Sequence, residues 1–204
     1  MGIFSTSSSI SRYRIVQEIE QDFWAQVQDL LLQNAFQEIE DSSQESSLGW
    51  VSQENMLDSN WHAASPFKGE YLVFALREDR KKVPPALFRK YYQLALQEQQ
   101  ELNQEQGIDR VSRSQQKKLK EQVRSRLLSR SMPVPAVYEV VWNTGNQHIY
   151  LGSTSSRVRT LFEEHFSSSF RLNLEPMNGY FLARSLLDEE RLQVLDAYNP
   201  KVLI

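Results

Sequence analysis

The sequence contains no cysteine and only three histidines, His62, His148 and His165. No disulfide can staple it and no thiolate chemistry is open to it. The histidines do not pair at ligand spacing such as HxxxH, and without cysteine they complete no zinc site. A cytoplasmic location is therefore expected. No apolar run approaches the roughly 20 residues of a membrane-spanning helix, so no membrane partner is expected. The N-terminus, MGIFSTSSS, has no basic region ahead of a long apolar one and does not read as a secretory signal. Gly2 and Thr6 fit the myristoylation pattern. So short a motif is often matched by chance, and a loose serine-rich tail is the simpler reading.

Other chemistries are equally short of residues. Gly152-Ser153-Thr154-Ser155-Ser156 precedes a helical pattern, but it lacks the glycine spacing and the lysine of a phosphate-binding P-loop. Capping of the helix by Ser155 or Ser156 is expected instead. No Ser-His-Asp arrangement is suggested. Glu38, Glu40 and Asp41 are neighbours in sequence and read as cover for a helix end, not as carboxylates converging on a metal ion. The expectation is a protein that is not an enzyme and holds no cofactor and no metal.

What is present is material for a core. Hydrophobic residues make up 40% of 204, and 4 Trp, 8 Tyr and 10 Phe supply large anchors. That suits one domain, or two small ones sharing a core. Ser11–Gln17 alternates like a strand, and Phe23, Val27, Leu30 and Leu31 recur at helical spacing between Glu20 and Phe36. Leu48–Ser52 reads as a short strand, residues 54–68 as irregular, and Glu70–Arg77 as a buried strand. Pro84-Pro85 opens a long helix with Leu87, Tyr91, Leu94, Ala95 and Leu102 on one face. Gly107 stops it, and a second helix runs from about Ser112 to Arg130. Two helices joined by a short polar turn make a hairpin. Strands at Val137–Trp142 and Ile149–Gly152 flank the turn Asn143–Asn146. A helix containing Val158, Leu161, Phe162 and Phe166 follows, then a strand at Leu172–Glu175 and a mostly helical stretch from Tyr180 to Tyr198. The expected fold is α+β: a mixed or antiparallel sheet body packed with helices, residues 1–82 with 133–204, interrupted by a projecting helical-hairpin arm at 83–132.

Charge is the most pointed feature. The chain carries a formal net charge of −3, yet residues 110–130 hold eight Lys or Arg against the single Glu121, a local +7 that leaves −10 elsewhere. Arg113, Lys117, Lys120 and Arg124 follow i, i+4, i+7, i+11 and share one helix face. Leu119, Val123 and Leu127 fall on a neighbouring face that can pack on the first helix. Such a cationic row can track a phosphate backbone. A balanced Glu/Lys helix would suggest a merely solvated face; this one is nearly free of acid. Lys81 and Lys82, with Arg77 and Arg80, extend the same patch at the root of the arm. The row itself contains no aromatic residue, which disfavours a single-strand stacking platform and leaves duplex backbone binding as the better fit.

An ordered set of segments resembles the bacterial recombination-associated protein family RdgC. It comprises Leu48-Gly49-Trp50-Val51, a strand ending in Arg77, Val83-Pro84 opening a long helix, and the run from Lys117 to Arg130 that includes KLKEQVRSRLLSR. Gly152–Ser156 with its helix and Leu172–Met177 (LNLEPM) continue the order, so the likeness covers Arg12 to Leu182. The resemblance implies a non-enzymatic, nucleoid-associated homodimer. Its positively charged hole takes double-stranded DNA without sequence preference and so restrains the recombinase RecA. It implies that Arg77, Lys81, Lys117, Lys120, Arg124 and Arg130 face DNA, and that Leu127, Leu128 and Met132 lie at a subunit contact. Family members run well past the equivalent of Ile204, so a short variant that dimerises through one contact, or an open clamp, is expected.

Two other readings stay open. The basic helix can dock on an acidic partner, or on the acidic body of a second copy, in a protein-interaction module. A metal-dependent nuclease is the third.

Overall fold

The computed structural model describes residue 3 and residues 5–62, 64–108 and 110–197. Gly2, half of the myristoylation pattern, and Tyr198, the expected end of the last helix, lie outside them. The described elements are β1 (Ser11–Ile15), α1 (Gln21–Gln33), β2 (Ser46–Val51), β3 (Phe67–Lys68), β4 (Tyr71–Arg80), α2 (Pro85–Glu105), α3 (Arg113–Ser129), β5 (Val134–Asn143), β6 (His148–Leu151), α4 (Ser156–Phe170), β7 (Leu174–Pro176), α5 (Gly179–Leu186) and α6 (Glu189–Ala197). The strands form one sheet in the order β2-β4-β5-β6-β1-β7, with β3 paired to β4 off that path. β1 runs antiparallel to both β6 and β7, with Tyr13 opposite Ile149 and Pro176, and β5 runs antiparallel to β6. The fold is α+β, as expected.

The chain packs into two compact units. The first comprises residues 1–34, 51–76 and 138–204, and its core is aromatic. Val158, Phe162, Phe166 and Phe170 recur every four residues along α4, so one face of that helix is apolar and buried. Trp142 of β5 meets Trp24, Phe166 and Phe170 at centroid distances of 5.0, 5.3 and 5.5 Å. Phe74 meets Phe170 at 6.1 Å, and Tyr13 meets Phe162 at 5.6 Å. The tilted and edge-on angles are those aromatic rings prefer.

The second unit comprises residues 35–50 and 77–137 and carries the helical hairpin. Near its start, Ala35 and Trp50 form a parallel bridge and the Phe36 N–H donates to the Trp50 carbonyl at 3.0 Å. Only glycine fits at position 49, because a Cβ there would sit 2.3 Å from the Phe36 Cα. The hairpin turn follows from similar backbone demands. Gly107 has φ +73, and the helix α2 ends at Glu105, with Gln106 as its cap between them. Ser112 and Gln115 then close a capping box. The Ser112 hydroxyl accepts from the Gln115 N–H at 3.2 Å, and the Gln115 side chain accepts from the Ser112 N–H at 2.8 Å.

The polar tip is tied down by amides. Asn103 is only 2% exposed. Its side-chain oxygen accepts from the amides of Gln99 at 2.9 Å and Gln115 at 3.2 Å, and its NH₂ donates to the Arg110 carbonyl at 3.1 Å. The Asn103→Ala variant strands these partners and is expected to lose about 1–3 kcal/mol. Urea unfolding checks the loss, and hydrogen exchange at residues 110–116 should speed up before the rest of the hairpin does.

Several expectations need correction. α2 does not bury the face carrying Leu87, Leu94 and Leu102, which are 38%, 44% and 52% exposed. The row through Gln99 and Asn103 turns inward instead, because its amides find partners on α3. The buried strand expected to end at Arg77 continues as β4 to Arg80 and keeps Arg77, Glu78 and Asp79 buried. β5 starts at Val134, with Pro135 inside its exposed first half. The stretch from Tyr180 is mostly helical, as expected, but in two pieces: Leu187 is extended between them, and the Asp188 carboxylate accepts from the Arg191 N–H at 3.0 Å, capping α6. Ser155 does stand at the N-cap of α4, but its hydroxyl makes no capping bond. Its own N–H donates to the Ser153 hydroxyl at 3.3 Å, which favours a serine-turn geometry over a cap.

Candidate nucleic-acid interface

α3 holds its cations outward because its apolar residues are committed elsewhere. Val123, Leu127 and Leu128 are buried within the unit, while Arg113, Lys117, Lys118, Lys120, Arg124, Arg126 and Arg130 are all exposed. The row from Arg113 to Arg124 extends about 16 Å along the axis at 1.5 Å per residue. Four cations over that length match the reach of several consecutive phosphates on one strand.

The row has company that its own sequence does not reveal. Lys120 Nζ stands 5.5 Å from the centre of the Tyr92 ring on α2, within cation–π range. Tyr92 lies nearly parallel to Phe88, at 8° and 6.0 Å. Arg124 pairs with Glu45 at 2.6 Å, and both side chains are more than half exposed. The i, i+4 spacing of Phe88 and Tyr92 was the available signal, but it says only that they share a face of α2, not that α3 brings Lys120 over it.

The other expected contacts divide. Lys82 is exposed beside the start of α2. Arg77 and Lys81 are not at the surface: they are 5% and 2% exposed. The Arg77 guanidinium forks onto Asp79, Nε to Oδ1 and Nη2 to Oδ2, both at 2.8 Å. It also reaches Glu38 at 3.0 Å and lies 4.0 Å from the centre of the Phe36 ring. The hydrogen bonds to Asp79, above all, raise its pKa from the ordinary arginine value against the cost of burial. Lys81 Nζ donates to the carbonyls of Glu40 at 2.8 Å and Ser42 at 2.7 Å. These two cations therefore hold the 38–45 segment in place, and with it Glu45. Arg130 does not continue the row. It lies on another side of α3, where with Arg126, Leu87, Tyr91, Leu94 and Val123 it lines a groove of about 330 Å³. Leu127 and Leu128 point into their own unit, whereas Met132 is 73% exposed.

Among the described residues, no group of three or more His, Asp or Glu is placed to hold a metal ion. No described helix is long and apolar enough to cross a membrane.

The family model described as "Putative exonuclease, RdgC" matches residues 8–179 of the 204-residue chain. The chain belongs to the RdgC family. That places it broadly with recombination-associated proteins. No curated protein matches the chain. The RdgC match takes in all of the second unit, with the whole of the cationic row, and the first unit as far as residue 179.

Proposed function

We propose that this RdgC-family chain binds double-stranded DNA without sequence preference and without cleaving it, as a nucleoid-associated protein of the cytoplasm acting in recombination and replication. The observation that carries the reading is the exposed row Arg113, Lys117, Lys120 and Arg124 on α3, nearly unopposed by acid in a chain of net charge −3. Contacts to phosphates position a protein on DNA and carry no sequence information. Lys82 extends the row's potential; Arg77 and Lys81 do not, because their donors are bonded inside the protein. The family likeness extends the reading to a homodimer that restrains RecA by occupying the DNA on which it acts. Met132 is the one residue of the expected subunit contact that stands exposed for that role.

The test is fluorescence anisotropy of a labelled blunt duplex titrated at several salt concentrations. Salt-sensitive binding that does not depend on sequence is the expected result, and no binding at low salt overturns the proposal. End-labelled duplex incubated with Mg²⁺ or Mn²⁺ should keep its full length; shortening would make the protein the exonuclease of the family's description.

Glu45 competes with DNA for Arg124. The Glu45→Gln variant is expected to bind blunt duplex about two- to fivefold more tightly, the range that an exposed ion pair allows. Unchanged or weaker binding would mean that Arg124 does not reach a phosphate.

A further inference from the structure

The root of the hairpin holds a small cavity of about 240 Å³, lined by Glu45, Val83, Pro85, Phe88, Arg124 and Leu128. It is below the ~300–1,000 Å³ of pockets that hold drug-sized ligands and suits a single flat ring system. Four of its walls are apolar: Val83, Pro85, Phe88 and Leu128. Phe88 is held in orientation by its near-parallel partner Tyr92. The two polar groups are the paired Glu45 carboxylate and Arg124 guanidinium. A nucleobase has the matching character, with apolar faces to stack and a polar edge to pair.

Arg124 belongs both to this cavity and to the cationic row, so a strand whose phosphates follow the row passes the cavity mouth. A paired base cannot enter, because its edge is bonded and its faces are stacked; extrusion costs a few kcal/mol, least for a base already unpaired. We propose that the cavity takes one unpaired nucleobase of a bound DNA strand, so that the protein favours duplex carrying an unpaired nucleotide over blunt duplex. This rests on the reading of the row as a DNA-binding surface. Phe88 stacks on the base, and the Glu45 carboxylate accepts from its edge. Guanine offers N1–H and N2–H together and cytosine and adenine offer an amino group, while thymine offers only N3–H. The order of preference is guanine, then cytosine and adenine, then thymine. The stacking face comes from α2 and the carboxylate from the segment before β2, so the sequence of the row shows neither.

The experiment compares blunt duplex with duplexes of equal phosphate number that carry one unpaired guanine or thymine at a 3′ or a 5′ end. A further probe carries unpaired 2-aminopurine, whose emission falls on stacking. Wild-type protein is expected to bind an unpaired-guanine probe about fivefold or more tightly than blunt duplex, with a smaller gain for thymine and a several-fold loss of 2-aminopurine emission. The Phe88→Leu variant, checked for folding by circular dichroism, should lose the gain and the quenching while keeping its affinity for blunt duplex. The Glu45→Gln variant should bind the guanine and thymine probes alike. Equal affinity for blunt and unpaired probes, or unquenched 2-aminopurine, overturns the cavity proposal and leaves duplex binding standing. Failure to bind any probe at low salt overturns both.

Discussion

Replacing Arg113, Lys117, Lys120 and Arg124 together with alanine is expected to lower affinity for blunt duplex on the order of 10³-fold at ~0.1 M salt. Each phosphate contact contributes about 0.9 to the slope of log K against log[salt], so the slope should flatten by about 3 to 4. The change is expected to be close to pure electrostatics. All four side chains are exposed, and the residues that pack α3 into its unit, Val123, Leu127 and Leu128, are untouched. Surface substitutions of this kind shift stability little, so unfolding in urea should be nearly unchanged. The slope decides the outcome better than the affinity. A flattened slope means lost phosphate contacts, whereas a lower affinity at an unchanged slope would mean that the row acts indirectly. An unchanged affinity would remove this face from DNA binding altogether.

The second large effect is expected at a cation held inside the protein, Arg77. Arg77→Ala should destabilise the protein by about 3–5 kcal/mol, because it leaves Asp79, whose side chain is 1% exposed, buried without its partner. That is a large part of the ~5–15 kcal/mol by which domains are stable. Arg77→Lys should be intermediate, since a lysine keeps the charge but not the two-pronged geometry. Urea unfolding measures the loss, and the folded fraction of each variant should bind blunt duplex within about twofold of wild type. The family likeness implied that Arg77 faces DNA, and the structure turns it inward. A stable Arg77→Ala protein that had lost DNA affinity would restore the surface role. Lys81→Met offers a milder version of the same comparison: it keeps the apolar stem and leaves the Glu40 and Ser42 carbonyls without their donor.

The two outcomes show why one cationic stretch could be read from the chain and another could not. The α3 row is a local pattern. Its spacing, the scarcity of acid around it and the apolar residues beside it all lie within 18 residues, and a helix turns spacing directly into a face. Arg77 and Lys81 looked alike to composition, as parts of a mixed run that ends in three basic residues. Their burial depends on Glu38, Glu40 and Ser42, about 40 residues earlier, folding back onto β4. Nothing in the spacing of residues 77–82 reports that return. The same limit applies to the tip. A Gln- and Glu-rich stretch reads as having little to bury, but Asn103 is buried because Gln99 and Gln115 satisfy its amide, and a polar group is buried where its partners are.

Sequence alone determined the α+β class, most of the strands and helices, the hairpin with its stop at Gly107, the outward cationic row and the likeness to a family. Each of these follows from periodicity, turn chemistry or order along the chain. Tertiary structure alone decided which charges are free to meet a partner: it bound Arg77 and Lys81 inside, set Glu45 against Arg124, placed Tyr92 under Lys120 and opened a cavity beside Phe88. These are pairings between segments far apart in the chain, and the free energy of burying or exposing a charge depends on what surrounds it in space.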